Sequence, residues 1–204
     1  MRDMDLWQYE RQAREEGYRL VCGCDEAGAG PLAGPVYAAA VVLPYGEEIP
    51  GVNDSKKLTE RRREELFPVI QERALAWSVA WVDAEEIDRT DILSARMKAM
   101  QLAMDGLPQP PDFALIDGNR DKGRSFTLTT PHRCVVKGDS QSASIAAASI
   151  LAKVSRDRFM LEVAQRYPQY QFERHKGYGT KLHYQLLRTY GPSLIHRRTF
   201  LKNL

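Results

Sequence analysis

Five short apolar runs punctuate an otherwise polar chain, and each has the length of a strand. Residues 19–25 and 36–43 (VYAAAVVL) flank a stretch rich in glycine and proline. AWSVAWV at 76–82 follows, then FALID at 113–117 and a run at 133–137. The first two runs, joined through that stretch, predict an antiparallel hairpin. Elsewhere the spacing is helical. A short amphipathic helix is predicted over 4–16. Thr59 is placed to cap a helix running to about residue 74, kinked or restarted at Pro68. Asp83, with Glu86 three residues on, makes a start resembling a capping box. A helix over about 91–105 follows, with Ile92, Leu93, Met97, Met100, Leu102 and Met104 as its apolar face. Ser142 opens a long helix to about Arg166, whose Ala146, Ala147, Ala148 and Ser149 allow close packing on a sheet. Gly191 and Pro192 end a last helix begun near Thr180. A hairpin followed by strands alternating with helices makes an α/β chain of about five strands.

Composition adds limits. With 204 residues, 43% hydrophobic and 27% charged, the chain has the make-up of a soluble globular protein rather than a disordered one. No apolar run approaches the roughly 20 residues that cross a bilayer, and the first twenty residues are too charged for a signal peptide, so a cytoplasmic protein is expected. Three cysteines give no disulfide framework. Cys22 and Cys24 share one face of a strand, opposite Asp25, and read as small buried hydrophobes. The methionines read as core. The net charge of +2 says little, but basic residues recur in clusters suited to a phosphate backbone: Lys56-Lys57, Arg61-Arg62-Arg63, His175-Lys176, Lys181 and His196-Arg197-Arg198. Taken alone, Arg61 to Arg63 read as a solvated helix face.

The candidate chemistry lies where strands end. Asp25-Glu26, Asp117 and Asp139 each follow an apolar run and precede or adjoin glycine. In an open α/β sheet, sites form in the crevice beyond the strand ends. Four carboxylates meeting there repel one another unless protons or cations neutralise them. Hard oxygen ligands favour Mg²⁺ or Mn²⁺, and two such ions suit phosphodiester cleavage. Neighbouring residues of a regular strand point to opposite faces, so the pair Asp25-Glu26 requires the strand to end or twist there. His132, His183 and His196 are too scattered along the chain to suggest a metal site.

Seven blocks in order resemble type 2 ribonuclease H, within it the bacterial ribonuclease HII family. They are DEAGAGPLAGPV at 25–36, NDSKKL at 53–58, LIDGN at 115–119, VVKGDS at 135–140, ASILAKVSRD at 148–157, HKGYGT at 175–180 and HRRTF at 196–200. The resemblance implies a ribonuclease H-like fold, a central mixed sheet with helices on both faces and a C-terminal helical extension. A single domain over 1–204 is expected: an N-terminal helix (1–18), a catalytic core (about 19–166) and the extension (about 167–204). It further implies an endonuclease on RNA–DNA hybrids and on duplex DNA with one embedded ribonucleotide, cutting 5′ of the ribonucleotide to leave a 3′-hydroxyl and a 5′-phosphate. Asp25, Glu26, Asp117 and Asp139 are the implied catalytic metal ligands for two ions, Mg²⁺ or Mn²⁺. The turn Gly28-Ala29-Gly30 corresponds to the one that contacts the ribose 2′-hydroxyl, which separates RNA from DNA. Tyr178 corresponds to a tyrosine that stacks on the sugar after the ribonucleotide. Lys56 corresponds to a phosphate contact, with Arg197 and Arg198 as helpers. A monomer is expected, and the C-terminal FLKNL carries no clear sliding-clamp peptide.

Two positions depart from the family. Ala29 stands where arginine or lysine is usual, which removes a phosphate contact. Asp91 stands where asparagine is frequent; it is either an acid near the substrate or a helix cap. Within enzymes, the rivals are ribonuclease HIII, type 1 ribonuclease H and a resolvase. Outside them, it is a hybrid-binding protein without catalysis, against which four intact acids argue.

Overall fold

The computed structural model describes residues 5–52 and 58–202. Its strands are β1 (Val21–Ala27), β2 (Val36–Val42), β3 (Ala76–Val82), β4 (Phe113–Asp117) and β5 (His132–Val135). They form one mixed sheet in the order β3-β2-β1-β4-β5. β1 pairs antiparallel with β2, and β2 with β3, while β1–β4 and β4–β5 are parallel. The helices are α1 (Gln8–Glu15), α2 (Glu60–Arg73), α3 (Ala84–Arg89), α4 (Ile92–Asp105), α5 (Ala143–Arg166), α6 (Phe172–His175) and α7 (Lys181–Tyr190).

Strand alternation builds the two layers. Cys22 and Cys24, both fully buried, face α4 together with Ala38, Ala40, Ala114 and Ile116, where Met97, Met100 and Met104 meet them. Burial pushes the Cys22 thiol up to about 12, so it packs as a neutral group. Leu102, expected on that apolar face, is exposed instead, because it sits on the outer side of α4. On the other face, Ala39 and Val41 pack against α2 and α5. Gly23 is required here: a Cβ would lie 2.1 Å from the Ser144 backbone carbon, so α5 starts directly on β1.

The capping residues behave as their chemistry dictates. Thr59, Asp83, Ser142 and Thr180 each accept a hydrogen bond from the backbone N–H three residues on. α2 continues through Pro68 without a restart, and its proline lies on the exposed side. β1 does not end at Asp25; Glu26 and Ala27 keep partners in β2, opposite Ala38 and Tyr37. β5 stops two residues earlier than its apolar pattern suggests. Lys137 then turns the chain with φ 55° into a short 3₁₀ turn, Gly138–Ser140. A third apolar cluster joins Leu32 and Ala33 to Met160, Tyr170, Phe172 and Leu187, and so docks the C-terminal segment on α5 beside the β1–β2 connection. Among the described residues, no helix is long and apolar enough to cross a membrane.

Asp91 is the cap of α4. One carboxylate oxygen accepts from Leu93 N and Ser94 N, and the other from Ser94 Oγ and Arg124 N. Partial burial opposes its charge, but the Ser94 and backbone hydrogen bonds outweigh it and hold its pKa below the ordinary value. Asp91→Ala should therefore destabilise the fold by about 1 kcal/mol at neutral pH. Because the folded value is the lower one, this contribution is present above the unfolded pKa of about 3.9 and disappears as pH falls through the folded value. Urea unfolding of both proteins across that range checks it. A constant difference down to the lowest pH would rule out the charged cap.

Candidate active site

Asp25 and Glu26 occupy neighbouring positions near the end of β1, and both reach one cleft. That cleft, about 380 Å³, is lined by Asp25, Glu26, Ala27, Gly28, Arg63, Ser149, Lys153 and Tyr178. Glu26 reaches across to α4, where Arg96 holds one oxygen at 2.6 Å. Burial pushes the Glu26 carboxyl up from its ordinary value. Arg96 opposes that rise, and the charge of Asp117 adds to it. Asp117, at the end of β4, accepts the Gly138 N–H at 2.6 Å. That bond ties it to the turn carrying Asp139, which is itself buried. Glu26 and Asp117 thus feel each other's charge, and Asp117 is bonded to the turn that carries Asp139, although neither Asp117 nor Asp139 is among the residues lining the cleft.

Whether these groups suit a divalent cation is answered by their chemistry. The donors are hard carboxylate oxygens, and Glu26 Oε2 is buried with no hydrogen-bond partner among the described residues. An orphaned carboxylate oxygen in a cluster of acids fits a cation ligand. Among the described residues, no three carboxylate, imidazole or thiol groups close into a metal cage by themselves. Like-charge repulsion and the Arg96 ion pair are consistent with that open arrangement.

The glycine turn follows β1 directly. Gly28 has φ +95° and its Cβ position is filled by Arg156 Nε at 2.0 Å, so the fold requires glycine there. Gly30 is different: it is exposed, has no unusual φ, and an added Cβ would meet nothing within 4 Å. Among the described residues, nothing asks for glycine at 30. The carbonyls of Gly28 and Ala29 are both taken by Arg197, whereas the N–H groups of Ala29 and Gly30 have no partner among the described residues.

Several expectations change on this map. Arg197 is not a phosphate contact: it is fully buried and donates to the carbonyls of Gly28, Ala29 and Gly34. Arg198 is exposed but does not line the cleft; its N–H is bound to Asp88. Lys56, in the NDSKKL block, lies outside the described residues. The basic run at 61–63 splits, with Arg61 and Arg62 paired to Glu65 on the surface while Arg63 turns into the cleft. The sequence by itself does not mark Arg96, Ser149 or Lys153 as residues near the cleft. Ser149 and Lys153 lie one helical turn apart inside the ASILAKVSRD block, which was the available signal; Arg96 had none. His183 and His196, scattered in sequence, touch through their Nε2 atoms at 3.0 Å.

A five-stranded mixed sheet of this order, flanked by helices, is a ribonuclease H-like fold. A family model described as ribonuclease HII matches residues 22–203. The chain is 50% identical over 202 residues to ribonuclease HII of Caldicellulosiruptor bescii, covering 99% of this chain and 96% of that one. It is 52% identical over 195 residues to ribonuclease HII of Geobacter sulfurreducens, covering 96% and 88%. The crystal structure of ribonuclease H2 from Pyrococcus horikoshii OT3 superimposes with a TM-score of 0.73 at 27% identity, covering 89% of this chain and 93% of that one. The chain belongs to the ribonuclease HII family, and it is a type 2 ribonuclease H, an endonuclease acting on RNA–DNA.

Proposed function

We propose that this enzyme degrades RNA in RNA–DNA hybrids and also incises duplex DNA 5′ of a single embedded ribonucleotide, leaving a 3′-hydroxyl and a 5′-phosphate. Its setting would be the cytoplasm, in ribonucleotide removal from DNA and in RNA primer removal. The observation that carries this reading is that Asp25, Glu26, Gly28 and Tyr178 line one cleft. Asp25, Glu26, Asp117 and Asp139 are the residues that would hold Mg²⁺ or Mn²⁺. When bound, two such ions supply charge neutralisation at the scissile phosphate and lower the pKa of an attacking water.

The remaining roles follow from the chain itself. Open N–H groups at Ala29 and Gly30, with carbonyls tied back by Arg197, suit donation to a ribose 2′-hydroxyl and its phosphate. Lys153 and Arg63 give the cleft a cationic rim. The exposed Tyr178 ring presents a stacking face beside it.

The decisive experiment is cleavage of a DNA duplex carrying one ribonucleotide, mapped to the nucleotide, with Mg²⁺ present or removed by chelation. A metal-dependent cut immediately 5′ of the ribonucleotide is expected. Cutting confined to long hybrids would overturn the single-ribonucleotide activity. A companion result concerns Ala29, which is partly exposed beside the cleft. Ala29→Arg should restore a phosphate contact and lower KM about threefold with kcat little changed. A large gain in kcat at constant KM would sink that account.

A further inference from the structure

The C-terminal segment places three imidazoles behind Tyr178. His175 and His183 stack with ring centroids 4.3 Å apart, and His183 meets His196. Their hydrogen-bond partners define which nitrogen carries each proton. The Ser193 N–H donates to His196 Nδ1 at 2.9 Å, so a neutral His196 keeps its proton on Nε2. That N–H donates to His183 Nε2 at 3.0 Å. His183 is then protonated on Nδ1, which donates to the Tyr178 carbonyl at 2.9 Å. Burial pushes both imidazoles down, His183 to about 4 and His196 to about 3, so the chain of hydrogen bonds is neutral at working pH.

Tyr178 needs such support. It lies between Gly177, with φ +85°, and Gly179, neither of which carries a side chain to brace its ring. The residue is 41% exposed, and among the described residues Lys153 and Arg156 stand 5.8 and 5.6 Å from the ring centre. The ring's placement is thus inherited from its backbone. That backbone is held by His175, whose carbonyl accepts Tyr178 N–H, by Thr180 N–H, and by His183.

We propose that His183 and His196 are positioning residues for Tyr178, and that the relay Ser193–His196–His183–Tyr178 sets the preference for an RNA–DNA junction over a uniform hybrid. This rests on the reading of Tyr178 as the junction contact. Neither imidazole touches substrate.

The test compares kcat and KM on duplex DNA with one ribonucleotide and on a uniform RNA–DNA hybrid. Proteins are wild type, His196→Phe, His196→Gln, Tyr178→Ala and the double variant His196→Phe with Tyr178→Ala. His196→Phe keeps the ring volume and removes the donor; its junction-to-hybrid ratio of kcat/KM should fall about tenfold, chiefly through KM on the junction substrate. His196→Gln, whose Nε2 still donates, should stay within about twofold of wild type. The double variant should be no worse than Tyr178→Ala, since both act through one group. If Tyr178→Ala loses the preference while His196→Phe, shown folded by thermal melting, keeps it, the relay is overturned. If Tyr178→Ala keeps the preference, the reading of Tyr178 fails first. Should His196→Phe not fold, imidazole ¹⁵N shifts of the wild type decide: Nδ1–H on His183 with Nε2–H on His196 supports the relay, and the reverse tautomers overturn it.

Discussion

Asp117→Asn is expected to reduce metal-dependent cleavage by about a thousandfold, equivalent to roughly 4 kcal/mol of lost transition-state stabilisation, while the protein stays folded. The asparagine carbonyl still accepts the Gly138 N–H, so the joint between β4 and the turn carrying Asp139 is preserved. What disappears is one negative charge beside Glu26. That charge is one cause of the raised Glu26 pKa, behind burial itself, so the Glu26 carboxyl should move down in the variant. Single-turnover cleavage and ¹³C-carboxyl titration are the paired readouts. Cleavage retained above a tenth of wild type would remove Asp117 from the ligand set, and an unmoved Glu26 pKa would deny that the two acids share one site.

Arg197→Ala should lower unfolding free energy by about 3 kcal/mol, the second large effect. Two buried arginines, Arg156 and Arg197, stand under the β1–β2 connection. Arg156 donates to the carbonyls of Ala33, Pro35 and Lys176, and Arg197 to those of Gly28, Ala29 and Gly34. Burial, and then the charge of Arg156, push the Arg197 pKa down, so holding this cation inside is itself costly. The carbonyl bonds offset that cost, and they need the forked guanidinium; Arg197→Lys should rescue little. Urea unfolding measures the loss. A change below about 1 kcal/mol would mean that the turn is held by its other contacts.

These two residues show where sequence reasoning stops. The candidate acids stand out in the sequence because each follows an apolar run near glycine, a local pattern that needs no knowledge of distant packing. In the fold only Asp117 ends its strand, while Asp25 and Glu26 lie within β1 and Asp139 lies in the turn after β5. The helix caps were legible for the same reason: Thr59, Asp83, Asp91, Ser142 and Thr180 act on residues two or three positions away. The continuation of β1 to Ala27 was not, because the charges at 25 and 26 look like a strand end until β2 supplies partners.

From its residues alone the chain determined its strands and its α/β class, which rest on periodicity and short-range hydrogen bonding. Tertiary structure alone decided what its cations and imidazoles do. Arg197 and Arg198 are adjacent and chemically alike, yet one is buried on carbonyls and the other exposed. Arg63 leaves its two neighbours to enter the cleft. His183 and His196 meet only because the C-terminal segment folds back across α7. A long side chain takes its role from whichever groups surround its tip, and those come from segments far away in the chain.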